Sequence, residues 1–471
     1  MRLIESLREL SKDSLYFGLG SVLSQIVSLF LVPFYTKELT PENYGIILML
    51  SLLITFIIPI SSLSLDGGFI RYYSFAKDFE KQIYFSTSFL LKLLGILVCW
   101  ILVFLFFDLI NQHLFEDQLG IKFLVYINLM IFFESLSMLF FSYLRVKRLV
   151  KHILYINLIT LSVGLFFSVL FVIIYQWGLN GAVISALISA FVKFVFLFFM
   201  TVRFSSFKFS KSISVVLLKY SLPKIPHKFF TFIIVSSTTL FINETLGLVS
   251  AGIYFVAAKL SKPINLITSV VQQAWVPYRL DLHKLNNKSS LFENLSFLYL
   301  TFLIFLWLFI SSFIPEVYEL LINERYYTGI KYVPFILLVP ISNAFYFMYI
   351  TGYELHEDQK YLMKCSVLVS MAQLLLCYFL MDFYPPFNFI FFNILSFIIL
   401  AFLVKIKANE IVKFKINFYL FLAYLIFNIS ILVVISMIDL NLFYKIFIVL
   451  TSLLVLIVIN RNTFKKANTI G

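Results

Sequence analysis

The sequence predicts an all-α polytopic membrane protein. It would carry about fourteen transmembrane helices, arranged as two six-helix lobes related by a parallel repeat, with two further helices at the C-terminal end. Three observations predict this. The 471 residues are 61% hydrophobic and 13% charged, whereas soluble domains run near 45–50% apolar and about 25% charged. The apolar residues gather in runs close to the ~20 residues that cross a bilayer. The cationic residues alternate between successive loops.

Taken in order, the runs lie near 14–36, 44–65, 83–107, 121–144, 153–175, 179–200, 214–243, 248–272, 295–315, 330–352, 361–381, 386–404, 416–437 and 442–460. The loops between them are short, and none could hold a separate folded domain. The opening MRLIESLRELSKD is charged and amphipathic, unlike a cleavable signal peptide. The first run is therefore expected to act as an uncleaved signal-anchor.

Of the 37 Lys and Arg residues, 25 fall at the N-terminus, in loops after even-numbered spans, or in the C-terminal tail; five fall in the other loops and seven within spans. This bias places both termini in the cytoplasm. The net charge of +13 is then mostly a topology signal, and no nucleic-acid partner is expected. Cys99, Cys365 and Cys377 lie inside apolar runs as packing thiols, and the five histidines are scattered. No disulfide, metal or cofactor is expected.

A faint repeat supports the two lobes. LTPENYGI (39–46) joins spans 1 and 2, and LGLVSAGI (246–253) joins spans 7 and 8, with Leu39/Leu246, Gly45/Gly252 and Ile46/Ile253 coinciding at an offset of 207. Arg71 follows span 2 and Arg279 follows span 8. Six spans per half give both halves one orientation. The expected organisation is residues 1–205 and 206–410 as the two lobes, with 411–471 as two additional spans and a tail.

At these residues the chain resembles a known family. GLGSVLSQIVSLFLVPFYTKELTPENYGI (18–46) is similar to the first-hairpin signature of bacterial polysaccharide flippases of the O-antigen type. These belong to the superfamily of multidrug, oligosaccharidyl-lipid and polysaccharide exporters. SLDGGFIRYYS (64–74), YSLPKIPHKF (220–229), LGLVSAGIYFVAAKL (246–260) and QQAWVPYRL (272–280) resemble that family's other motifs. Many relatives carry an Asp-Arg pair late in span 7, where this chain has Thr238-Thr239, so no role for that pair is carried over. The resemblance implies two lobes around a central cavity in the bacterial inner membrane. It implies flipping of an oligosaccharide linked to undecaprenyl pyrophosphate from the cytoplasmic to the outer leaflet. Membrane lipid and polysaccharide-assembly proteins are its expected partners, and it implies no enzymatic activity.

Polar groups inside spans are the site candidates, because each is costly against lipid. Ser21, Gln25 and Ser28 share a face of span 1 at i, i+4, i+7, which serves either a wet path or helix packing. Lys224, His227 and Lys228 share a face of span 7 beside Pro223 and Pro226. They either line a cationic cavity or lie at the interface. Lys259 and Lys262 fall mid-way along span 8, one turn apart, and Arg71 and Arg279 sit at matched cytoplasmic ends. These cations are the candidates to bind pyrophosphate and glycan. Lys92 and Glu134 sit at similar depth in spans 3 and 4 and are expected to pair, with proton coupling through Glu134 as the other reading. Lys193 is expected to snorkel, Asp66 to be interfacial, and NQHLFED (111–117) to be a solvated loop. A multidrug or cation exporter of the same fold is the alternative, followed by a membrane polysaccharide polymerase or ligase.

Overall fold

The computed structural model describes residues 23, 25–201, 208–272, 289–353, 359–411, 418–438 and 441–461. Among these residues every regular element is helical. The first predicted span continues within them as α1 (25–38). After it come α2 Pro41–Ser61, α3 Leu65–Phe75, α4 Asp78–Leu105, α5 Phe107–Phe115, α6 Ile121–Val146, α7 Val150–Ser168, α8 Gly178–Thr201, α9 Lys211–Ser221 and α10 Lys224–Leu260. Then follow α11 (262–272), α12 Ser289–Leu321, α13 Val333–Tyr353, α14 Gln359–Phe379, α15 Phe387–Ile411, α16 Phe418–Met437 and α17 Leu442–Ile459. Eleven described helical stretches are long and apolar enough to cross a membrane. The chain is a multi-pass membrane protein.

The helix ends follow from local chemistry. Thr40 caps α2, its hydroxyl accepting from the Asn43 N–H, and Pro41 opens the helix where a missing N–H costs nothing. α2 stops at Ser61, just after Pro59, and Leu63 and Ser64 turn the chain with positive φ. What the sequence presents as a segment following span 2 is therefore a helix of its own, α3. Predicted span 7 is likewise divided. α9 ends before Leu222 and Pro223, and α10 starts at Lys224. Pro226 then falls in the first turn of α10, where no intrahelical N–H bond is lost. Further along, α10 breaks at Gly247, whose φ of 78° places it in the left-handed region that suits glycine.

The helices pack into two compact units, Met1–Phe255 and Val256–Gly471. This division by packing falls later in the chain than the boundary drawn from the sequence repeat. In the first unit, α3 lays Phe69 and Tyr73, four residues apart, into an aromatic core with Phe85 of α4 and Tyr143 of α6. Small and hydroxyl residues tie the other helices, as suits packing in lipid. The Tyr35 hydroxyl donates to Ser168 Oγ at 2.9 Å, and Ser189 Oγ donates to the Thr160 carbonyl at 3.0 Å.

In the second unit, Trp307 Nε1 of α12 donates to the Pro334 carbonyl at 2.7 Å, and the Tyr361 hydroxyl of α14 donates to the Leu403 carbonyl of α15 at 2.8 Å. The last two helices are held by buried polar groups. Tyr424 of α16 meets Ser452 of α17 at 2.9 Å, and Ser452 donates to Asn428 at 2.6 Å. Asn460 reaches Thr301 of α12 at 3.1 Å, and Lys445 pairs with Glu316 at 2.6 Å.

Candidate functional site

Because Phe69 and Tyr73 point into the core, Arg71 emerges on the other side of α3 and is exposed. There its guanidinium lies over the Tyr220 ring, 5.1 Å from the centroid, and 6.0 Å from that of Tyr72. Lys224 Nζ sits over the same Tyr220 ring at 3.8 Å. Two cations separated by 153 positions thus share one aromatic residue, which offsets their mutual repulsion through its ring quadrupole. The hydrogen bond to Tyr220 raises the Arg71 pKa above its ordinary value; an arginine is charged at any physiological pH in either case.

Two glycines leave room for the close approach. A Cβ at Gly67 would stand 3.3 Å from Lys224 Nζ, and one at Gly68 would collide with Ser221 Oγ. Beneath them Leu65, Leu91 and Leu217 form a small apolar core that fixes α9 against α3 and α4.

Lys228, one turn beyond Lys224, lines a cavity of ≈ 340 Å³ with Thr55, Phe56 and Pro59 of α2 and Pro226, Phe229 and Phe232 of α10. His227 is helical in α10, and its side chain lies outside the described residues.

Lys92 corrects a sequence expectation. It does not pair with Glu134. Its ammonium, fully buried, donates to Asp66 Oδ1 at 2.6 Å and to the Ser135 carbonyl at 3.1 Å. Asp66 is accordingly the partner of a buried lysine and not a mere interfacial group; its side chain is 15% exposed. Glu134 instead takes Lys193, whose Nζ donates to both carboxylate oxygens at 2.5 and 2.6 Å. The physical reason is the break in span 2. The turn at 62–64 brings Asp66 back toward α4, where Ser61 and Ser135 also meet at 2.5 Å. Equal depth along neighbouring helices was the wrong criterion, because direction around each helix axis decides which groups meet.

The other predicted residues sit elsewhere. Gln25 and Ser28 are half-buried on α1, and Gln25 Oε1 is buried without a hydrogen-bond partner among the described residues. Ser21 and Arg279 lie outside the described residues. Lys259, 9% exposed, and the half-buried Lys262 belong to the second unit, either side of the break at Ser261. The expected polar stripe beyond them is partly satisfied within its own helix: Thr268 Oγ1 donates to the Asn265 carbonyl and Ser269 Oγ to the Leu266 carbonyl.

A second constellation joins the two repeat-related hairpin corners. Both corners lie in the first unit. A Cβ at Gly45 would run into the Leu248 carbonyl, and one at Gly252 into the Pro41 carbonyl. The glycines that coincide in the repeat are therefore the points where the two corners touch. A loop thought to be merely solvated straps both corners. Glu116 accepts from the Leu248 N–H at 2.9 Å, capping the helix that restarts after Gly247, while Gln118 donates to Glu42 at 2.5 Å. Asn243 adds a bond to the Leu114 carbonyl at 3.2 Å.

With this geometry in place, comparison with known proteins assigns the family. The polysaccharide biosynthesis protein family matches residues 37–322, more than half of the chain and inclusive of α3, α9, α10 and the corners. The chain belongs to that family. A Haemophilus influenzae protein named for the Lsg locus is 22% identical over 380 residues, 76% of this chain and 88% of the relative. The fold is shared with a lipid II flippase, MurJ, in an inward closed conformation, at a TM-score of 0.70 and 19% identity over 96% of this chain and 99% of that one. It is shared also with an inward-facing multidrug resistance MATE family transporter of the MOP superfamily, at 0.66 and 13% over 83% and 94%.

Sequence reasoning missed Tyr220, Tyr72, Asp66 as a buried partner, and Glu116. Tyr220 stands inside KYSLPKIPHKFF (219–230), so an aromatic beside a lysine cluster was the available signal. Nothing local could have paired it with Arg71.

Proposed function

We propose that this family member is a flippase. It would carry an oligosaccharide linked to undecaprenyl pyrophosphate from the cytoplasmic to the outer leaflet of the bacterial inner membrane by alternating access. The observation that carries the reading is the convergence of Arg71 and Lys224 on Tyr220, with Lys228 one turn away. Three cations at one place suit a diphosphate, which ammonium and guanidinium groups bind by charge-assisted hydrogen bonds. Asp66 does not neutralise them, since Lys92 occupies it. The match to a polysaccharide family supports a glycan cargo, and the fold shared with a lipid II flippase supports a lipid-borne one. For Lys259, Lys262 and Arg279, in the second half of the sequence, a role in cargo binding is proposed on charge alone.

In this reading the touching corners at Gly45 and Gly252 are the closed outer gate, and both termini face the cytoplasm. Lys193 engages both oxygens of Glu134, which supports a packing role for Glu134 over ion coupling. The multidrug fold relative keeps a cation exporter as the second reading, which the basic cluster disfavours.

The test replaces Arg71, Lys224, Lys228, Lys259 and Lys262 singly with Ala and Glu and measures translocation of lipid-linked glycan in reconstituted vesicles. The Glu variants are expected to lose most transport and the Ala variants less. Full transport by every variant at normal membrane abundance would overturn the assignment. Export of organic cations improved by the Glu variants would favour the second reading.

A further inference from the structure

The cavity between α2 and α10 is not explained by binding a diphosphate. Its wall is formed by Phe56, Pro59, Pro226, Phe229 and Phe232, with Lys228 as the cation among its lining residues. Phe56 meets Phe229 and Phe232 at 5.8 and 5.4 Å between ring centroids, with the rings tilted to one another, so the cavity is bounded by a cluster of aromatic rings. The one hydroxyl on the wall, Thr55, is already donating to the Ser51 carbonyl at 2.7 Å.

A sugar fits this wall badly. Each buried sugar hydroxyl without a partner would cost about 1–3 kcal/mol, and the phenylalanines and prolines offer none. An apolar chain fits it well. The volume of ≈ 340 Å³ lies at the small end of ligand cavities, which run about 300–1,000 Å³, so it holds a fragment of a long chain and not the whole. What marks the fragment is Lys228. An anionic group on its ammonium would be one helical turn from Lys224 and hence beside the Arg71–Tyr220 pair.

We infer that the α2/α10 cavity is a subsite for the first isoprenoid units of a polyprenyl diphosphate, seated against the Phe56, Phe229 and Phe232 rings while the diphosphate bridges Lys228 and Lys224. This rests on the lipid-linked cargo proposed above and adds where the chain leaves the head group. The head and the adjoining isoprenoid units are then gripped together, and recognition extends beyond charge to the carrier itself.

The experiment uses the full-length protein in nanodiscs and compares binding of inorganic pyrophosphate, farnesyl pyrophosphate and dodecyl pyrophosphate by competition. Wild type is expected to bind farnesyl pyrophosphate about tenfold or more tighter than pyrophosphate, because apolar surface leaves water. Phe56→Asn with Phe232→Asn should remove that gain and leave pyrophosphate binding unchanged. Thr55→Phe, which fills the cavity from its wall without removing a ring, should do the same. A farnesyl gain that survives both variants would overturn the subsite. An equal, cavity-dependent gain for dodecyl pyrophosphate would overturn the isoprenoid assignment and make the cavity a general acyl-chain site. Failure of wild type to bind either pyrophosphate or farnesyl pyrophosphate would instead overturn the cargo reading itself.

Discussion

Lys92 shows what a buried charge does in this protein. Its ammonium has no exposure and is held by Asp66 and the Ser135 carbonyl. These bonds pin the turn between α2 and α3, and α3 in turn presents Arg71. Removing one member of a buried pair leaves the other uncompensated and costs about 3–5 kcal/mol. Lys92→Met is therefore expected to lower the unfolding temperature in detergent sharply. Lys92→Met with Asp66→Asn should recover part of the loss, because no lone charge remains, and a double-mutant cycle reads the coupling. Lys193→Met should lower the unfolding temperature too, because it leaves Glu134 inside an apolar span without the lysine that engages both its oxygens. Tyr220 makes a different prediction. Tyr220→Leu removes the ring shared by Arg71 and Lys224 and should weaken pyrophosphate binding several-fold with little loss of stability, measured by titration beside a thermal melt.

At the scale of elements, the hairpin corners give the sharpest expectation. The Gly45 and Gly252 positions have backbone carbonyls where a Cβ would stand. Backbone cannot swing aside as a side chain does, so Gly45→Val and Gly252→Val should each destabilise this closed arrangement by about 1–3 kcal/mol or more. Gly120→Ser is the control, since nothing lies within 4 Å of the added Cβ and serine is a good residue at that helix start. If the corners form a gate, the valine variants should raise labelling of a cysteine placed beside them from the outer side, whereas the control should not. Glu116→Ala should act in the same direction and more weakly, removing one cap worth about 0.5–2 kcal/mol. The corners were partly legible beforehand: the repeat picked out the glycines, and Pro223 marked the α9/α10 break. Helix α3 was hidden, because DGGFIRYYS has two glycines and an aspartate, which lower its helix propensity. Packing of Phe69 and Tyr73 against α4 and α6 outweighs that propensity.

For the whole molecule the expectation is topological. The split of 25 against five cationic loop residues predicts that reporters fused to either end are active only when the reporter works in the cytoplasm. Activity of a periplasm-dependent reporter at either end would reverse the orientation. The family resemblance rested on local motifs such as residues 18–46 and 220–229, whereas composition, run length and loop charge were sufficient for the membrane class and the helical fold, because each reports transfer of a segment into lipid, a property that short windows of sequence already hold. They also picked out the basic residues, since a lysine in an apolar run is conspicuous by its cost. Which cations stand together was decided only by tertiary structure. Arg71 meets Lys224 through Tyr220, Lys92 takes Asp66 and not Glu134, and Lys228 faces a wall of phenylalanine. Each of these depends on rotation about a helix axis and on breaks at Ser61–Ser64 and Pro223, and such directions arise from the packing of distant segments.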